Sequence, residues 1–176
     1  MVAALFAGAL LWSGWRSFEQ SRLMTLLVGG PSLDIPWNAG KKDETVSAEI
    51  DVPRPAIYSL SLDLHFDRSN PDDRARVHKI AGDLYYDRDH VPHDTGLSIP
   101  VRISIVRLTG SADDTLLDEE ATRQFLEGTT ADFYIRDITG LRLERGRYRV
   151  AVKALSDTAA LDGTETHFDM RITQFK

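Results

Sequence analysis

A chain of 176 residues with net charge -6, no cysteine, 42% hydrophobic and 27% charged residues has the composition of one acidic globular domain with a short appendage. The acidic balance excludes a phosphate-backbone binder, which needs a basic face, and with it a nucleic-acid partner. Zero Cys excludes disulfides, thiolate metal sites, a thiol nucleophile and a cysteine-linked lipid anchor.

Residues 1–40 differ from the rest. No charge occurs from Val2 to Trp15, and Val2 to Trp12 is a continuous apolar run. A bilayer span takes roughly 20 apolar residues, so this run suits a signal-peptide core or a short membrane anchor, an apolar helix ahead of the domain. No Lys or Arg precedes it, and Arg16 and Arg22 follow it, the reverse of a secretory n-region. The expectation is that Met1 is an internal start and that a short basic leader belongs upstream. Trp12 and Trp15 fit interfacial positions. Ser17 to Val28, with Phe18, Leu23, Met24, Leu26 and Leu27 among polar residues, predicts a juxtamembrane amphipathic helix closed by Gly29-Gly30-Pro31. A buried N-terminal helix of a cytosolic protein is the alternative. The organisation expected is a signal peptide or anchor over 1–28, a linker over 29–43 and a folded domain over 44–176. Trp37 also precedes residue 44, so the domain so defined has no tryptophan. Arg16 and Arg22 balance Glu19 and Asp34, which leaves the whole net charge on the C-terminal part.

The remainder reads as strands. Asp34 to Lys42 is a linker or a first edge strand. Thr45 to Val52 alternates Val46, Ala48, Ile50 and Val52 against polar residues and is closed by Pro53 and Pro55. Tyr58, Leu60, Leu62, Leu64 and Phe66 then alternate with Ser59, Ser61, Asp63, His65 and Asp67, which predicts a strand with one face in the core and one in solvent. Asn70-Pro-Asp-Asp-Arg74 supplies an N-cap, a proline at the first helical position and first-turn carboxylates. The helix they open runs to about Leu84, with Ala75, Val77 or His78, Ile80 and Ala81 inward. Val101 to Leu108 and Thr115 to Glu120 form a hairpin. Arg123 to Phe133 lacks regular alternation, and Phe133 to Ile138 and Leu141 to Leu143 read as short strands or strand ends. Arg147 to Leu155 and Thr164 to Phe175 complete the set. The pattern predicts a mainly β fold, an antiparallel β-sandwich of seven to eight strands, immunoglobulin-like or jelly-roll-like, with one helical insertion.

Four segments in order carry a resemblance: Ile57-Tyr-Ser-Leu60, Asp73 to Gly82, Gly96-Leu-Ser-Ile-Pro-Val-Arg102, and Leu143-Glu-Arg-Gly-Arg-Tyr-Arg-Val150. From about Val46 to Ile172 the chain resembles a domain-of-unknown-function family of bacterial exported proteins. The resemblance implies a compact sandwich behind a signal or lipoprotein leader, with no established activity. The missing cysteine departs from the lipid-anchored pattern.

Two clusters are candidates for a site. Asp87, Asp89, His90, His93 and Asp94 fall within eight positions of the segment from Tyr85 to Gly96, and carboxylates with imidazoles at such density could ligate a divalent ion. The spacing matches neither an EF-hand loop nor a His-Glu-x-x-His helix, and a solvated turn explains the same residues. Arginine outnumbers lysine sixteen to five, and Arg142, Arg145, Arg147 and Arg149 cluster across one turn. They could contact an anionic partner or lipid headgroups, or form cross-strand ion pairs with interspersed carboxylates. His65 and His167 read as strand-surface residues and His78 as a helix-face residue. No catalytic set emerges: Ser59 and Ser61 lie on a strand rather than a sharp turn, and Glu119 and Glu120 point to opposite faces. No phosphate loop and no cofactor is implied. The reading is a non-enzymatic β-sandwich of the bacterial cell envelope, membrane-anchored or periplasmic, which meets the membrane through its N-terminal segment. It would act by contact with a protein partner, as a structural or immunity-type component. A carbohydrate- or metal-binding module using Tyr85, Tyr86 and the Asp/His segment is the second reading, and a hydrolase the third.

Overall fold

A computed structural model describes residues 31–84, 94–110 and 112–175. In chain order the elements are β1 (Leu33–Pro36), β2 (Thr45–Val52), β3 (Ala56–His65), α1 (Pro71–Ala81), β4 (Val101–Leu108), β5 (Asp114–Ala121), β6 (Phe125–Thr129), β7 (Phe133–Leu143), β8 (Gly146–Ala154), a 3-10 turn at Ala159–Leu161, and β9 (Thr166–Phe175). The strands form two antiparallel sheets, ordered β1-β9-β3-β7-β6 and β2-β8-β4-β5.

Period-two alternation explains how the sheets close on one core. Tyr58, Leu60, Leu62 and Leu64 of β3 are fully buried, with Phe168 and Met170 beside them on β9. Val101, Ile103 and Ile105 of β4 and Tyr148, Val150 and Val152 of β8 supply the other sheet's inner face, in the same hydrophobic cluster. Burying each such aliphatic side chain stabilises the fold by about 1.5–3 kcal/mol.

The second face of β3 departs from expectation. Ser59, Ser61 and Asp63 are not solvated but buried, because β3 is the central strand of its sheet and the side chains of β7 and β9 close over these short residues.

β7 is one strand rather than two. Its register against β3 shifts between Leu60 and Ser61, and the extra residue moves the inward positions from Tyr134, Arg136 and Ile138 to Leu141 and Leu143. That change of phase is what reads as a break in sequence. A similar shift between Leu126 and Gly128 hides β6. Leu33–Pro36, within the stretch read as a linker, is the edge strand β1, paired with β9 from Leu33↔Met170 to Pro36↔His167.

Trp37 therefore belongs to the core, at 4% exposure. Its backbone N–H donates to Thr166 O at 2.8 Å, and its indole N–H to Glu44 O at 3.2 Å. Thr166 Oγ1 donates back to Trp37 O.

In α1 the Asn70 side chain accepts from the N–H groups of Asp72 and Asp73, and Pro71 opens the first turn. The helix stops at Ala81 rather than Leu84, since Gly82 takes a φ of 87° and donates its N–H to His78 O. Val77, Ile80 and Ala81 are buried as expected, whereas Ala75 is exposed. Tyr134 of β7 meets the Phe66 ring at 5.0 Å and the His78 ring at 5.4 Å, so α1 closes one end of the core. Among the described residues, no helix is long and apolar enough to cross a membrane.

Candidate functional site

Among the described residues, the outer face of the five-stranded sheet carries a dense set of interacting ionisable groups. Residues 59, 61, 63 and 65 of β3 all point outward, because neighbours two apart share a face. Register brings Asp63 opposite His167, Ser61 opposite Asp169 and Ser59 opposite Arg171 on β9. Asp34 of β1 pairs with Asp169 from the other side. On β7, Phe133 lies opposite His65, Ile135 opposite Asp63 and Asp137 opposite Ser61. Phe125 of β6 pairs with Asp137 and extends the row.

Two hydrogen-bonded groups result. In the first, His167 Nδ1 lies 2.6 Å from Asp34 Oδ1 and Nε2 lies 3.0 Å from Glu165 Oε1. Ionised carboxylates only accept, so this arrangement favours the doubly protonated ring, the imidazolium. Burial alone would lower its pKa; the bonds to Glu165 and Asp34 outweigh that and raise it. His65 stacks on this ring at 4.3 Å and on Phe133 at 4.8 Å. Burial, then the adjacent His167 charge, pushes the His65 pKa down.

In the second group one guanidinium serves two carboxylates. Arg171 Nε lies 2.7 Å from Asp169 Oδ2, and Nη2 donates to Ser61 Oγ at 2.7 Å and to Asp63 Oδ1 at 3.4 Å. Ser61 Oγ donates to Asp63 Oδ1 at 3.0 Å. Burial, then repulsion from Asp169, pushes Asp63 up to about 6 despite Arg171 and Ser61. Burial also raises Asp169. Beside these groups runs an apolar strip of half-buried Phe133 and Ile135 and exposed Phe125.

The sequence-derived candidates are placed differently. Asp87, Asp89, His90 and His93, with Tyr85 and Tyr86, lie outside the described residues. Asp94 stands at the neck of that segment: its carbonyl accepts from Asp83 N–H at 2.9 Å and its Oδ1 from Gly96 N–H at 2.8 Å. A Cβ on Gly82 would come within 2.6 Å of Gly96 N, so only glycine permits this approach. Arg136, 1% exposed, ties the same neck down. Its Nη1 donates to Leu97 O at 2.6 Å and Ile80 O at 3.3 Å, and its Nη2 to Gln124 O at 2.6 Å and Thr95 O at 3.1 Å. Among the described residues, no three His, Asp or Glu side chains have metal-holding geometry.

The four arginines do not form one patch. Arg142 belongs to β7, opposite Ile57, and pairs with Glu144 at 2.9 Å. The chain then crosses to the other sheet, where Arg147 and Arg149 share Glu49 at 2.7 and 3.3 Å on the opposite outer face. Arg145 lies in the connecting turn, its carbonyl accepting from Arg107. The cross-strand ion-pair reading describes Arg147 and Arg149, and solvent screens exposed pairs of this kind.

Sequence reasoning put His65 and His167 on strand surfaces but missed their meeting. The only signal was that outward positions of two strands, Ser61-Asp63-His65 and His167-Asp169-Arg171, are ionisable or polar throughout.

The sequence profile of a domain of unknown function, DUF5625, matches residues 34–172. No curated protein matches the chain. The crystal structure of GEBA250068378 from Sulfurospirillum deleyianum is similar, with a TM-score of 0.69 and 21% identity over 82% of this chain and 98% of that one. At that identity the likeness speaks for the fold.

Proposed function

The chain belongs to the DUF5625 family, domains of unknown function, and from that premise we propose that it is a non-enzymatic domain of the bacterial cell envelope. It acts by protein contact through the outer face of the five-stranded sheet. The observation that carries this reading is the pairing of an apolar strip, Phe125, Ile135 and Phe133, with a polar row whose groups are committed to one another. Protein contacts use aromatic and aliphatic anchors beside satisfied polar groups. The same commitment argues against His167 as a general base: an imidazole bonded at both nitrogens to carboxylates has no lone pair with which to take a proton.

A photo-crosslinking residue at position 133 or 173 of the full chain, expressed in bacteria, is expected to trap a discrete adduct, whereas one at position 120 on the other sheet traps none. Equal trapping at all three positions, or none, would overturn the contact reading. Cytosolic recovery on fractionation would overturn the envelope assignment.

One observation favours a second reading, a metal- or carbohydrate-binding module. The neck at Gly82, Asp94 and Gly96 is clamped by Arg136, a rigid base on which a recognition loop could be held. Calorimetric titration with zinc and calcium tests its metal form, and no heat at millimolar ion removes that form.

A further inference from the structure

The polar row holds a feature that simple contact does not need. Asp63, with its side chain 7% exposed, shares the Arg171 guanidinium with Asp169, so two carboxylates compete for one cation. His65 is pressed against an imidazolium that is itself held by two carboxylates. Neither Asp63 nor His65 has a full counter-charge of its own.

Resting on the contact reading, we propose that this face is a proton-sensitive contact surface: on acidification it takes up two protons, at Asp63 and His65, and becomes less negative by two charges. The row sets Asp34, Asp63, Asp137, Glu165 and Asp169 against Arg171 and His167, so the face carries an excess of carboxylates. Protonation of Asp63 removes one negative charge, and that of His65 adds a positive one. A cationic surface held to the face at neutral pH would lose its attraction in acid.

The groups around the two sites set the direction. Asp63 is faced by His167, Asp169 and Arg171 from β9, Asp34 from β1 and Ser61 from its own strand, while β7 offers the apolar Ile135. His65 is faced by His167 of β9, Glu165 before it, Asp34 of β1, and Asp132 and Phe133 at the start of β7. The one titratable side chain of α1 in ring contact with this sheet is His78, against Tyr134, which points to the inner side. Burial holds Asp63 up to about 6, in mild acid, and holds His65 below its ordinary value.

Side-chain NMR of the full chain, following aspartate carboxyl carbons and histidine ring signals from pH 4 to 9, tests the protonation. Asp63 is expected to titrate near 6, His65 below and His167 above an ordinary histidine. His167→Phe should raise the His65 midpoint by removing the adjacent charge. Asp34→Asn, at a well-exposed side chain that the fold does not need, should lower that of His167. The inference is overturned if Asp63 titrates with ordinary carboxylates, or if neither variant moves its neighbour. It is also overturned if trapping at position 133 is equal at pH 7.5 and 5.5 rather than several-fold weaker in acid. Those outcomes leave the contact reading standing, whereas no adduct at either pH overturns the reading beneath it.

Discussion

At the scale of single residues, Arg136 and Asp63 show how a buried charge behaves with and without committed partners. Arg136 faces inward opposite Leu62, yet both of its terminal nitrogens donate to backbone carbonyls. Arg136→Met fills the space but takes the donor from the carbonyls of Thr95, Leu97 and Gln124, each costing about 1–3 kcal/mol if it stays dry, while Ile80 O keeps the Leu97 N–H. We expect a loss of at least about 3 kcal/mol in denaturant unfolding, and a loss below about 1 kcal/mol would mean that water replaces the guanidinium. Asp63 acts through pH. Its folded pKa of about 6 exceeds the unfolded value near 3.8, so between those limits the native state binds the extra proton and the contribution to stability falls as pH rises. Asp63→Asn removes this dependence. The variant should gain on the wild type by on the order of 2 kcal/mol between pH 4.5 and 7.5 in urea unfolding; a constant difference would refute the burial argument. Period two placed Asp63 and His65 on one face. It carried no information on which strand, a hundred residues away, would lie beside them, so His167 and Asp169 stayed apart in the sequence reading.

At the scale of elements, long strands were legible and interrupted ones were not. β3 and β8 keep one phase along their inward rows and are recognised from their side chains alone. β6 and β7 are bulged, and each bulge transfers the inward row from one parity to the other, which alternation alone cannot follow. Local chemistry fixed the start of α1 through Asn70 and Pro71, whereas its end depends on a tertiary contact. Gly82 and Gly96, at φ 87° and 68°, bring two chain segments closer than any side chain allows. Gly82→Ala must therefore strain the backbone and separate the strands of the neck. We expect a cost of about 2 kcal/mol or more, from the left-handed conformation plus the contact with Gly96 N. Faster hydrogen exchange at Asp83 and Leu97, whose N–H groups bond across this neck, would report it; unchanged protection would show that the neck can shift at little cost.

At the scale of the whole molecule, the boundary between appendage and domain decides how the fold is anchored. Charge and tryptophan content in the sequence suggested a division near residue 44. The paired β1 strand and the buried Trp37 move the edge of the core to Leu33. Composition averages over neighbours, so it assigned Trp37 to the segment with Trp12 and Trp15, although its hydrogen-bond partners are Thr166 and Glu44. The two boundaries make opposite predictions for truncation. A chain starting at Pro31 keeps β1, Trp37 and the bonds of Trp37 to Thr166 and Glu44. A chain starting at Glu44 loses a buried aromatic, worth about 3–5 kcal/mol by analogy with aromatic-to-alanine changes in cores, together with Leu33. It also exposes the edge of β9, a template for pairing with another chain. Because small domains have only about 5–15 kcal/mol to lose, the shorter chain should unfold at least 10 °C lower than the longer one or self-associate. Equal melting of the two as monomers would return the boundary to residue 44 and make β1 an ornament of the sheet.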